Sequence, residues 1–306
     1  MAQAGNWFLS VWVAWVSISA LGFSREIQPI EILTRGAGDF VDGNTVVPQR
    51  TAMQSFDPKT FVSVRLTDIQ YRMKKSYQGV RLLPLILEHA GSSSLVLLHF
   101  DNGMIIPIPL DQDGAALKKI DPFLAFAVKS DSGQWSPNFP ALAKKSDDAR
   151  YSDPRPLRFG DNKLVVTSPW HPFAPREGSA GFSPWTYAGS LIRIEFADRE
   201  AYYRQFEVAT TAEFNGGMKV FLERCQYCHG ARLIGASYGW DFVTPLATYK
   251  QKPAEQLFNH VKFPKWDALT RGLMMPRQKD ISEADAKKLW EWLRFQAEQR
   301  QRPYAP

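Results

Sequence analysis

Of the chain's 306 residues, two are cysteine. Two thiols are too few for a disulfide scaffold, a four-thiolate zinc site or an iron–sulfur cluster. No repeat of roughly 20–50 residues recurs, which argues against a solenoid or propeller. No basic run with interleaved aromatics appears, which argues against nucleic acid as a partner. Long apolar runs are also scarce, with one at the N-terminus. What is present suits a globular protein: 44% apolar and 22% charged residues can bury real cores. At roughly 150 residues per domain, the length predicts two domains.

The N-terminal run, Trp7 to Phe23, holds 17 uncharged residues. It is shorter than the ~20 a membrane-crossing helix needs. It ends in Ser19-Ala20-Leu21-Gly22, small residues that fit a signal-peptidase site after Gly22. Residues 1–22 are therefore read as a signal peptide and the protein as exported to the periplasm. No Lys or Arg precedes the run, and Arg25 lies behind it. An uncleaved anchor is the alternative; membrane contact is expected only in that case. The positive-inside rule would then put the body in the cytoplasm.

Two segments of different character follow. Residues 25–205 read as an α+β domain, dense in proline, with β-rich runs at 61–66, 95–100, 104–108, 164–167 and 191–196. Asp101-Asn102-Gly103 is a turn signal that predicts a hairpin between the second and third runs. Short helices are expected over Thr67–Lys74 and Leu82–His89, the latter closed by Gly91. Residues 198–212 read as a connector. Residues 212–300 read as an all-α domain. Helices are expected over Glu213–Arg224, from Pro253 through Lys262, and from Ser282-Glu-Ala-Asp285 to about Arg300.

Charge divides at the same place. Residues 212–306 hold 15 basic and 10 acidic side chains, against 22 and 21 in residues 1–211. The excess suits either solvated helix faces or docking to an acidic partner, where charge acts mainly on encounter rate.

Both cysteines fall in one pentapeptide, Cys225-Gln-Tyr-Cys228-His229. Two thiols three residues apart at a helix end can each form a thioether to a haem, and the next histidine then lies where it can bind iron. A redox disulfide pair would not need the histidine. A zinc site would need ligands that no further cysteine supplies. One covalent haem c is the expected cofactor.

The stretch Gly217-Met-Lys-Val-Phe221 through His229-Gly230 resembles the first helix of class I cytochromes c, with a small residue and an aromatic one turn apart before the haem motif. That resemblance spans about 212–300. It implies a last helix crossing the first at an aromatic, Trp292 or alternatively Trp290. Leu273-Met274-Met275-Pro276 is similar to the family's methionine loop. Met275 is the expected second axial ligand beside His229, with Met274 as the alternative. A thioether favours the reduced iron and suits one-electron transfer. His260 competes for that position but sits on an expected helix, where a structural role is the default. Pro245 resembles the proline whose carbonyl receives the ligand imidazole; Pro253 and Pro264 also follow His229.

In the N-terminal segment, Val64–Ile69, Tyr77–Leu87, His99–Pro107, Leu157–Val166 and Trp185–Glu195 follow one another in an order similar to the molybdopterin-binding fold of sulfite oxidase-like proteins. That family holds molybdenum through a cysteine thiolate. This chain has none outside the haem motif, so molybdenum is not expected and the domain reads as a degenerate, docking or structural module. Pro169-Trp170-His171-Pro172-Phe173 and Trp185 suit an aromatic interaction surface or, as the default, a loop-anchoring core. His171 and His99 take the same structural default.

The expected function is an electron-transfer protein or subunit, a carrier rather than a catalyst. It would accept electrons from a periplasmic dehydrogenase or oxidase and pass them to a downstream acceptor. The alternative is an oxidoreductase subunit whose N-terminal domain binds a pterin or substrate and feeds the haem. A third reading, a gas sensor or peroxidase-like protein, requires an open sixth position on the iron.

Overall fold

A computed structural model describes residues 27–35, 50–111, 113–142, 158–173, 183–206, 212–244, 246–264, 275 and 278–300. The apolar run Trp7–Phe23 lies outside them. Among the described residues no helix is long and apolar enough to cross a membrane.

The mixed region runs β1 (Ile30–Thr34), β2 (Arg50–Gln54), β3 (Val62–Asp68), β4 (Met73–Arg81), α1 (Leu82–Ala90), β5 (Leu95–Phe100), β6 (Ile105–Pro109), α2 (Ala115–Ile120), β7 (Phe123–Lys129), β8 (Trp135–Ser136), β9 (Lys163–Val165), β10 (Leu191–Ala197) and α3 (Arg199–Arg204). The helical region follows as α4 (Ala212–Arg224), β11 (Gly230–Ala231), β12 (Ile234–Gly235), α5 (Thr248–Gln251), α6 (Ala254–Lys262) and α7 (Glu283–Arg300). The architecture is thus a mixed α/β N-terminal region and a helical C-terminal one.

The strands form two larger sheets. One has the order β2-β1-β10-β5-β6, with β1 and β10 parallel and the other pairs antiparallel. The second is β3-β4-β7-β8, with β9 also on β7. Successive side chains of a strand face opposite ways, and β5 uses both faces. Val96, Leu98 and Phe100 enter a core with Leu124, Phe126 and Leu164 of the second sheet. Leu95 and Leu97 enter a different core with Tyr202, Tyr203 and the helical region. That double burial explains the unbroken apolar run Leu95–Leu98. The first sheet therefore stands between the second sheet and the helices.

The hairpin at Asp101-Asn102-Gly103 forms as the turn signal predicts, Gly103 taking φ +85° and donating its N–H to the Phe100 carbonyl at 2.9 Å. The helix expected over Thr67–Lys74 does not form; β3 and β4 meet there in a hairpin. Asp68 explains why. Its carboxylate accepts the N–H groups of Gln70 (2.8 Å) and Tyr71 (3.3 Å), an Asx-type turn that competes with helix. The same carboxylate accepts the Tyr77 hydroxyl at 2.6 Å and pairs with the buried Lys163 ammonium at 3.0 Å. This joins the turn, β4 and β9.

The expected connector contains α3, capped by Asp198, whose side chain accepts the Ala201 N–H at 2.7 Å. Trp185 and His171 are buried, and the Trp185 indole donates to the Trp170 carbonyl at 3.0 Å. This stretch anchors loops in the core. His99 pairs with Glu195 at 2.8 Å.

In the helical region, Ser282 starts α7. Its hydroxyl accepts the Asp285 N–H at 3.0 Å and donates to the Asp285 carboxylate at 2.7 Å. α7 crosses α4 at Gly217, where a Cβ would stand inside contact distance of the Lys288 carbonyl and 2.5 Å from Trp292 Cβ. Phe221, one turn on, meets the Trp292 ring at 5.0 Å. Trp292 is thus the aromatic in the crossing. Trp290 instead donates to the Lys252 carbonyl at 2.8 Å and sets α5 against α7.

Candidate haem-binding site

The end of α4 builds the site. Cys225 N–H bonds to the Phe221 carbonyl at 2.8 Å, and the chain then turns, with Cys228 and His229 both donating to the Cys225 carbonyl at 3.1 and 2.9 Å. Arg224 fixes this end from outside, forking onto the Asp280 carboxylate at 2.9 and 3.0 Å just ahead of α7.

Neither cysteine is in a disulfide, and both are buried. Burial pushes the Cys225 thiol up to about 12, against the pull of neighbouring Arg224. A disulfide-exchange cysteine needs the opposite, a thiol pKa lowered towards neutrality. Among the described residues no group of three or more His, Cys, Asp or Glu gathers to hold a metal ion.

His229 is held on several sides. Its Nδ1–H donates to the Trp240 carbonyl at 2.7 Å. Its ring stacks on Phe242 at 4.4 Å and 13°. Gly239 backs the ring so closely that a Cβ there would overlap the imidazole. Burial lowers the His229 pKa, the Trp240 carbonyl opposes this, and the charge of His260 adds to the lowering. Burial thus favours the neutral imidazole, in which Nδ1–H is engaged by the Trp240 carbonyl and Nε2 is the lone-pair nitrogen. That is the form and orientation an iron ligand requires, set by the group outside it.

The loop that carries Trp240 is itself pinned. β11 and β12 close through a two-residue turn, Arg232-Leu233, with φ values of +61° and +66°. Such turns favour Asn-Gly, and side-chain-bearing residues cost about 1 kcal/mol each there. Asp241 offsets that cost. Its carboxylate accepts N–H groups from Arg232 (3.2 Å), Leu233 (2.7 Å), Val243 (2.8 Å) and Thr244 (2.7 Å). Asp241→Ala is expected to lose about 2 kcal/mol of stability by removing these charge-assisted bonds, measured by denaturant unfolding. Asp241→Asn should recover part of it.

The carbonyl that meets His229 is Trp240's; Pro245, expected in that role, lies outside the described residues. Met275 is half-buried against the C-terminal core; Met274 lies outside the described residues. His260 sits on α6 as expected. No sequence pattern marks Trp240, because its contribution is a backbone oxygen. Nor does one mark Asp241, whose carboxylate serves backbone groups on either side of it.

A helix ending in Cys-x-x-Cys-His, a glycine crossing with a terminal helix and a carbonyl-oriented imidazole define a c-type cytochrome domain. Residues 212–293 match the family model described as cytochrome C oxidase, cbb3-type, subunit III. The C-terminal region is therefore a cytochrome c domain, and haem c is the cofactor it implies. No curated protein matches the chain.

Proposed function

We propose that this protein is an exported, periplasmic monohaem c-type cytochrome that carries electrons between a dehydrogenase or oxidase and a downstream acceptor. The observation that carries the reading is the His229 imidazole, its Nδ1 bonded to the Trp240 carbonyl, beside two buried cysteines outside any disulfide. Cys225 and Cys228 would hold the haem through thioethers, and His229 and Met275 would ligate its iron, Met274 being the alternative. Bound haem supplies a one-electron iron couple. The chain's own part is to fix the imidazole, keep the thiols together and surround the ring with apolar side chains such as Phe242.

The N-terminal region, in this reading, keeps a sulfite oxidase-like shape without molybdenum and serves as a docking or structural module. The basic excess of residues 212–306 favours a partner with an acidic face. The apolar run Trp7–Phe23, with small residues up to Gly22, supports export.

Optical redox titration of the purified protein, with metal analysis, tests this. The expected result is a single one-electron wave, iron near one per chain, no molybdenum and no carbon monoxide adduct of the reduced form at neutral pH. Molybdenum at one per chain would favour the oxidoreductase reading. Avid carbon monoxide binding would favour an open iron position.

A further inference from the structure

The haem motif spans two cores: Cys225 packs in the helical one, and Cys228 packs with Tyr227 in the other. Its two middle residues are buried: Tyr227 is 0% and Gln226 5% exposed. Tyr227 does not lie in the helical core. It enters the core between the two sheets of the N-terminal region.

Four tethers hold that side of the turn. The Tyr227 hydroxyl bonds to His171 Nδ1 at 3.0 Å, the rings meeting edge to face at 4.9 Å. The Gln226 side-chain oxygen, Oε1, accepts the Tyr203 hydroxyl of α3 at 3.4 Å. The other two are backbone bonds to the hairpin β5–β6. Ile105 N–H donates to the Tyr227 carbonyl at 3.2 Å, and Ser237 N–H donates to the Gly103 carbonyl at 2.8 Å. β6 is an edge strand, and the haem-motif loop takes up groups that such an edge otherwise leaves open. Gly103 is needed for the approach: a Cβ there would lie 2.7 Å from Ser237 Oγ.

The tethers sit on both sides of His229. Tyr227 precedes it by two residues. Ser237 precedes Gly239 and Trp240, the residues that back the ring and receive its N–H. His171 is in turn fixed: Phe173 N–H donates to its Nδ1 at 3.2 Å, and its ring lies 5.5 Å from Trp185.

We infer that the N-terminal region is a built seat for the haem-attachment turn, and that His171 is a positioning residue that sets the iron's reduction potential through Tyr227. The inference rests on the haem c reading above. Groups outside the ligands orient them, and solvent access is one of the levers on potential. Loosening the seat admits water beside the attachment turn, which stabilises the more highly charged oxidised form and lowers the potential.

The test uses full-length haem-loaded protein: the parent, Tyr227→Phe, His171→Leu and the double variant, each titrated optically. At a fixed ambient potential, each single variant is expected to lower the reduced-to-oxidised ratio about threefold or more, and the double variant to lower it by less than the two single effects combined. Tyr227→Phe keeps the ring and decides the matter alone if His171→Leu does not fold. Potentials equal to the parent's, with haem retained, would overturn the inference even if melting temperatures fell. Failure of the haem reading is distinguishable, because the parent itself would then lack the haem c α-band.

Discussion

Replacing both Cys225 and Cys228 with serine is expected to abolish covalent haem retention. After denaturation and acid–acetone extraction, the parent should keep its haem colour on a denaturing gel and the double variant should lose all of it. Serine matches cysteine in shape and differs at the one atom that makes the thioether. Both side chains are buried, so the local packing changes little. Each single variant should keep one attachment and a shifted α-band. Colour retained by the double variant would mean that the thiols do not carry the haem. The N-terminal region has cores of its own, around Leu98 and Phe126 and around Tyr77 and Phe123, so its fold should persist, with far-UV circular dichroism as the check.

The second large effect concerns the crossing of α4 and α7. Gly217→Val is expected to cost about 3 kcal/mol and lower the melting temperature by about 10 °C. The obstacle is the Lys288 carbonyl, a backbone atom that cannot swing aside, with Trp292 Cβ at 2.5 Å. Its neighbour provides the contrast. A Cβ on Gly216 meets the Lys288 side chain at 3.2 Å, which can move away. Gly216→Ala should therefore be neutral or stabilise by up to about 1 kcal/mol, because glycine is a poor helix former. The two substitutions, one residue apart, separate close helix approach from general helix propensity. Equal losses at both positions would contradict the packing account. The same crossing brings Phe221 onto Trp292 at 5.0 Å, a turn ahead of Cys225, so a displaced α7 would also disturb the haem motif.

What was legible in the sequence was local. The haem motif, the Gly217–Phe221 spacing and the Ser282 cap each lie within a turn or two of helix, where spacing fixes geometry directly. The Asp101-Asn102-Gly103 hairpin is legible for the same reason. Pairing Trp292 with Gly217 depended on resemblance, and the structure supplies its physical basis in the absent Cβ. What was not legible depends on distant partners or on backbone atoms. The 67–74 stretch had short-helix composition, but Asp68 bonds forward to Gln70 and Tyr71 and is answered by Lys163 from far along the chain. β7, Phe-Leu-Ala-Phe-Ala-Val-Lys, is buried on both faces by cores that sequence periodicity does not reveal. The orienting oxygen on His229 belongs to the Trp240 backbone, which no side-chain pattern marks. Tyr227 occupies a variable position of the haem motif, and its partner His171 lies 56 residues earlier.

On the proposed function, one pentapeptide, Cys225 to His229, carries one covalently attached haem c. Intact mass spectrometry of the purified, denatured protein checks this. The expected result is a single species with the mass of the polypeptide plus one haem, and the adduct confined to the peptide spanning residues 225–229 after proteolysis. A denatured mass equal to the bare polypeptide, or to the polypeptide two hydrogens lighter through a Cys225–Cys228 disulfide, would contradict it.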